Sequence, residues 1–248
     1  MLVSTLNKNA FWSTISLCFV LVMSCTFAEE GGSLKGTALF DGPPPEPILR
    51  EITADKKSGC TCDKVLDESL VVDKASGGLK WVMVRILDVK TKDAPPKPAV
   101  PIQISQKGCT FTPHVIVVPP ETDLEILNPD AILHNIHTTA YDFANPSQNT
   151  VHSPTEPKKI YKAMWLKEPE IIEIKCDIHF WMKGFIVVHD PRFCAVTGAD
   201  GAFEIKNVPP GKYSVEVFHE KLGAKTLNVD IKAGAATDLG PIKFTPKK

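Results

Sequence analysis

Four metal donors constrain the fold of this chain more than any other feature: His134 and, far downstream, Cys176-Asp-Ile-His179-Phe-Trp-Met182. A thiolate, an imidazole and a thioether at three-residue intervals fit on one loop, so the second imidazole has to come from a distant strand. The neighbouring residues supply strands. Leu124 to Asn128 reads as one before His134, Ile171 to Lys175 as one before Cys176, and Phe185 to Val188 as a closing strand, each rich in the apolar types that suit a pleated surface. Two imidazoles, a thiolate and a thioether make a soft donor set, which favours copper over hard cations.

The string His134-Asn-Ile-His137 with the Cys-x2-His-x2-Met spacing resembles the cupredoxins, and among them the amicyanin branch, over residues 102–189. The resemblance implies a Greek-key β-sandwich holding a mononuclear blue-copper site. His134, Cys176 and His179 would be its equatorial ligands and Met182 a weak axial one. The first histidine would lie at the end of a strand. Asn135 would hydrogen-bond across to Asp177 and tie the two ligand loops together. His179 would present its ring edge at the surface within an apolar patch, where the electron enters and leaves. Phe180 and Trp181 stand where amicyanins carry proline after the loop histidine, and they are expected to wall the metal with apolar rings.

The first 28 residues hold Lys8, an apolar run from Ile15 to Met23 and then small residues, the pattern of a secretory leader. That run is too short to span a bilayer. A second reading stays open, in which Val22-Met23-Ser24-Cys25 is a lipobox and Cys25 carries a lipid anchor. Either way the folded part is exported, to a periplasmic or extracellular location. In such an oxidising place Cys60, Cys62, Cys109 and Cys194, the cysteines left after the leader and Cys176, suit two disulfides. Cys60 and Cys62 are too close in sequence to pair with each other, so each is expected to reach Cys109 or Cys194.

Elsewhere the chain is a series of short strands. Leu34 to Phe40 stops at Asp41-Gly-Pro-Pro-Pro45, and Leu79 to Leu87 forms another apolar run. Asp93 to Pro101 carries four prolines in nine residues and reads as a linker. From Thr197 to Val217 apolar and polar residues alternate on both sides of Pro209-Pro210-Gly211, which predicts a hairpin. This passage resembles the carboxypeptidase regulatory-like modules, small transthyretin-like β-sandwiches, whose first strand would be Leu34 to Phe40. The expected organisation is all-β: leader 1–28, N-terminal β segment 29–98, cupredoxin-like domain 99–190, and regulatory-like sandwich 191–248.

A formal net charge of −1, from 28 basic and 29 acidic residues, gives no electrostatic case for nucleic acid. No nucleophile elbow, zinc-protease helix or phosphate loop is present, so no catalytic residue is expected. His137 reads as a supporting or surface residue and His114 as structural; His152 and His189 show no partner in the sequence, and His219 belongs with the C-terminal strands. The expected function is one-electron transfer to a redox partner protein. Copper storage or delivery, and a carbohydrate- or protein-binding β-module with an unloaded site, are the alternatives.

Overall fold

The computed structural model describes residues 30–52, 60, 63–161 and 166–246. The leader with Cys18 and Cys25, and also Cys62, lie outside the described residues. Among these the chain is all-β, and no helix is long and apolar enough to cross a membrane. In chain order the strands are β1 (Gly32–Phe40), β2 (Leu49–Glu51), β3 (Lys64–Leu66), β4 (Met83–Ile86), β5 (Ile102–Ser105) and β6 (Val115–Val118). There follow β7 (Leu124–Leu127), β8 (His134–Ala140), β9 (Asn149–His152), β10 (Lys158–Tyr161), β11 (Glu170–Lys175) and β12 (Lys183–Val188). The last five are β13 (Cys194–Val196), β14 (Ala202–Val208), β15 (Gly211–His219), β16 (Gly223–Ile231) and β17 (Ala236–Phe244).

Two sandwiches result. The first sets the sheet β10-β7-β5 against the sheet β6-β12-β11-β8-β9. Ile104, Phe111, Leu124, Ile126, Ile136, Ile174 and Ile186 fill the space between them, and Ile52, just after β2, and Val65 of β3 pack against the same cluster. The second sets β14-β1-β17 against β13-β4-β15-β16, so strands from before and after the first sandwich share both of its sheets. Leu34, Val84, Ile86, Phe203, Val215, Val217 and Phe244 form its core.

The apolar run that closes the first sandwich explains how the two halves join. Phe185 to Val188 is unbroken by polar residues because β12 is buried on both faces. Ile186 and Val188 point into the first core, while Phe185 and Val187 pack with Met83, Val115 and Ile171, and with Trp81, Cys194, Val196 and Phe218 of the second sandwich. Fully burying a side chain of this size contributes about 1.5–3 kcal/mol, so this shared face holds the halves together. Arg85, buried against the same joint, is neutralised by Glu216 through its Nε and Nη2.

Two expectations are corrected. The alternation around Pro209-Pro210 does not make a hairpin: β14 pairs with β1, and β15 pairs with β4 and β16, so the turn carries the chain from one sheet to the other. Alternation marks which side chains face inward, Phe203 and Ile205 before the turn and Val215 and Val217 after it, but not which strand lies alongside. Cysteine pairing is met in part: Cys60 joins Cys109, one of the two partners expected for it, whereas Cys194, expected in a second bridge, is a free thiol. It opens β13 beside Arg85 at the joint between the sandwiches, and burial pushes its thiol up to about 12.

Candidate metal centre

Loop geometry brings three of the four sequence-derived donors to one point. Cys176 follows β11 directly, and the loop returns tightly: the Cys176 amide donates to the Met182 carbonyl (3.1 Å) and the Met182 amide to the His179 carbonyl (2.8 Å). Because β8 lies beside β11, His134 at the start of β8 reaches the same end of the sheet. His134 therefore opens its strand, where an end had been expected, since the chain turns at Asn128-Pro129-Asp130 before β8 begins. His134 Nδ1 and His179 Nδ1 stand 3.1 Å apart, and Cys176 Sγ is 3.6 Å from His179 Nδ1. All three residues are buried.

This donor set fits a first-row transition ion. The separations are short enough for a single ion to reach all three donors at the usual metal–imidazole length of about 2.0–2.1 Å and metal–thiolate length of about 2.3 Å. The second nitrogen of His134 is prepared for the role. Asp130 Oδ2 lies 3.1 Å from His134 Nε2 and accepts its proton, which leaves Nδ1 bare toward the centre. Burial pushes the His134 imidazole below its usual range, with Asp130 opposing the shift, so the ring is neutral and able to ligate at neutral pH. Cys176 Sγ is held from both sides by Asn135, whose backbone amide donates to it at 3.4 Å and whose Oδ1 accepts from it at 3.2 Å.

The expected tie between the loops is present. Asn135 Oδ1 accepts from the Asp177 amide (2.7 Å), and its Nδ2 donates to Asp177 Oδ2 (3.1 Å) and Asn149 Oδ1 (2.9 Å). Partial burial would raise the Asp177 carboxyl, but hydrogen bonds from His137, Asn135 and Asn149 outweigh it and hold the group below the usual carboxylate range. His137 stands outside the donor cluster, bonded to Asp177 at 2.9 Å. Met182 is buried in the same core cluster as Cys176. His114 pairs with Glu220 (2.6 Å) and is not among the converging donors.

His179 departs from the expectation of a surface ring edge. It is 1% exposed. Trp181 stacks obliquely on it at 5.3 Å and is anchored by its own indole N–H to the Cys109 carbonyl (3.0 Å). The Cys60 and Cys109 sulfurs lie within 4.8 Å of a ring nitrogen of His179. Phe180 does not wall the centre; it projects into solvent, 78% exposed, with its ring against the edge of Trp181 at 5.2 Å.

Sequence reasoning missed several residues here. Asp130 also accepts from the Gly108 and Cys109 amides (2.9 Å each), so one carboxylate orients His134 and holds the disulfide loop. Its signal was present in the Asn-Pro-Asp turn four residues before the histidine. His152, opposite His134 in the β8-β9 pair, bonds Gln106 Oε1 through Nδ1 (2.7 Å), and Gln106 Nε2 donates to the Asn135 carbonyl (3.3 Å). Nothing local marked that pair.

The family model for domain II of polysaccharide lyase family 4 matches residues 171–239. No curated protein matches the chain. Among solved structures, a purple cupredoxin from Nitrosopumilus maritimus is 16% identical over 36% of this chain and 99% of its own, with a TM-score of 0.29. A reduced amicyanin mutant is 16% identical over 43% of this chain and 98% of its own, with a TM-score of 0.32. A copper-containing nitrite reductase from Thermus scotoductus SA-01 is 24% identical over 42% of this chain and 25% of its own, with a TM-score of 0.30.

Proposed function

We propose that this chain is an exported copper protein that carries one electron at a time, in which His134, Cys176, His179 and Met182 would hold the ion. The observation that carries the reading is the convergence of two Nδ1 atoms and one Sγ, 3.1 and 3.6 Å apart, in the buried interior of the first sandwich. A copper ion held there supplies a one-electron couple. The chain's part is to keep the donors fixed in both redox states. Asp130 sets His134, Asn135 sets the cysteine loop, and Trp181 packs against His179, so ligand movement on electron gain or loss is small. With His179 covered, the route to a redox partner protein runs through Trp181 to the exposed Phe180. Export is supported by the leader and by the Cys60–Cys109 disulfide, which suits an oxidising compartment.

Visible and electron paramagnetic resonance spectra of the oxidised, copper-loaded mature chain test the reading. An intense thiolate-to-copper band is expected, with fast, reversible one-electron voltammetry. Zinc uptake with no such band under any copper loading would end it. A site built for storage or delivery would hold the same ion but exchange it readily with a chelator. The match of residues 171–239 favours a second reading, a carbohydrate-binding β-module, which predicts binding to polysaccharide columns that does not depend on copper.

A further inference from the structure

The Cys60–Cys109 disulfide is buried beside the metal donors rather than at a distant corner of the sandwich. Its two sulfurs and a ring nitrogen of His179 all lie within 4.8 Å of one another. It also shares its supports with the first centre. Asp130 holds both the Cys109 amide and His134, and Trp181 both bonds the Cys109 carbonyl and packs on His179. Two sulfurs mounted this way are donors enough for a linear Cu(I) site, and only the bond between them keeps them from acting as one.

We propose that this disulfide masks a second soft-metal site, made of the Cys60 and Cys109 thiolates beside the first centre, which opens on reduction and takes Cu(I). The inference builds on the copper reading of the neighbouring centre. The reductant is a dithiol: it gives two electrons and two protons to the bridge sulfurs, the S–S bond breaks, and the dithiol becomes its own disulfide. Cu(I) then displaces the two thiol protons, because thiolates are the ligands a soft monovalent ion prefers. In oxidising surroundings the chain holds one ion as an electron carrier; met by a dithiol, it holds two.

The test uses the mature chain with Cys62→Ser and Cys194→Ser, which removes the competing thiols. Cu(I) is titrated anaerobically against a chromophoric Cu(I) chelator, before and after treatment with a small dithiol, with thiol counting to show that the bridge has opened. The expected capacity is one ion per chain with the bridge intact and two after reduction, and one in both states once Cys109→Ser is added. The second ion should also shield Cys60 and Cys109 from alkylation, as read by peptide mapping of the reduced chain without the Cys109 change. A capacity that stays at one with the bridge open, a bridge that the dithiol cannot open in the folded chain, a second ion retained after Cys109→Ser, or unshielded Cys60 and Cys109 would each overturn the proposal. The thiolate-to-copper band of the oxidised protein reports the first centre separately. Its absence alongside a second, reduction-dependent ion would sink the electron-carrier reading and leave the masked site standing.

Discussion

The two sandwiches are similar in construction, yet they differ in what they bury. In the second, the core runs from Leu34 to Phe244 with few polar side chains: Thr197, bonded to the Leu79 carbonyl and the Val82 amide, His219 beside Phe244, and Arg85 paired with Glu216. The first buries Gln106, Asn128, His134, Asn135, Thr138, His152 and His179 next to its apolar cluster. A buried polar group costs about 1–3 kcal/mol when left without a partner, so such a set persists only where the groups satisfy one another. Here Asp130 orients His134, Asn135 ties the cysteine loop to β8, and Gln106 holds His152 behind them. A core of the second kind tolerates any close-packed apolar set, whereas a core of the first kind is specific to its residues, and that specificity is what binding an ion requires.

Paired substitutions break the comparison most sharply. Cys176→Ser should abolish the charge-transfer band altogether while leaving thermal unfolding of the metal-free chain nearly where it was, because serine keeps the size of the side chain. Phe244→Ala should do the reverse. Its ring is 1% exposed in the second core, and its removal is expected to cost about 3–5 kcal/mol, read by urea unfolding. The band of the copper-loaded protein should survive that change. If the band fades in Phe244→Ala, the two cores are not separable as argued here.

What could be read in the chain follows the same divide. Strands and donors that depend on local pattern were legible: the doubly buried run of β12, the seven-residue spacing of the cysteine loop, and Asn135 as the neighbour of His134. Features that depend on which distant segments meet were not. The Pro209-Pro210 turn hides a change of sheet, since periodicity is blind to strand partners. The burial of His179 depends on the Cys60–Cys109 loop arriving from the other end of the chain, and four cysteines alone left that pairing open. Asp130 was missed because an aspartate in a turn normally serves only the turn.

A smaller effect separates the halves by pH. Burial pushes His219, on the second sandwich, down to about 4; Glu220 opposes this, while His114 and Lys221 add to it. The folded chain therefore keeps this ring neutral where the unfolded chain, with a value of about 6.5, takes up a proton. Below that point the unfolded state binds more protons, so stability contributed by the neutral ring is lost as pH falls from about 6.5 to about 4, in all about 3 kcal/mol. Urea midpoints at a series of pH values should decline through this window in the wild type and less steeply in His219→Gln. Parallel declines would assign the loss to other groups.

The smallest expected effect tests whether the first core is specific in the way proposed. Asn135→Ala removes the side chain that joins β8 to the cysteine loop, through the Asp177 amide, the Asp177 carboxylate and Asn149, but it leaves the backbone N–H that points at Cys176 Sγ. All the ligands remain, and only their support is loosened. Support of this kind is worth roughly 10–100-fold in metal affinity, which corresponds to about 1.4–2.7 kcal/mol. Chelator competition should show that loss, while the band keeps its position because the donors are the same. The matching change in the other core, Thr197→Ala, deletes two buried hydrogen bonds far from the centre and should weaken folding without altering copper affinity. Should Asn135→Ala bind copper as tightly as the wild type, the polar groups of the first core would be filling space like the apolar groups of the second, and the distinction between the two sandwiches would fall.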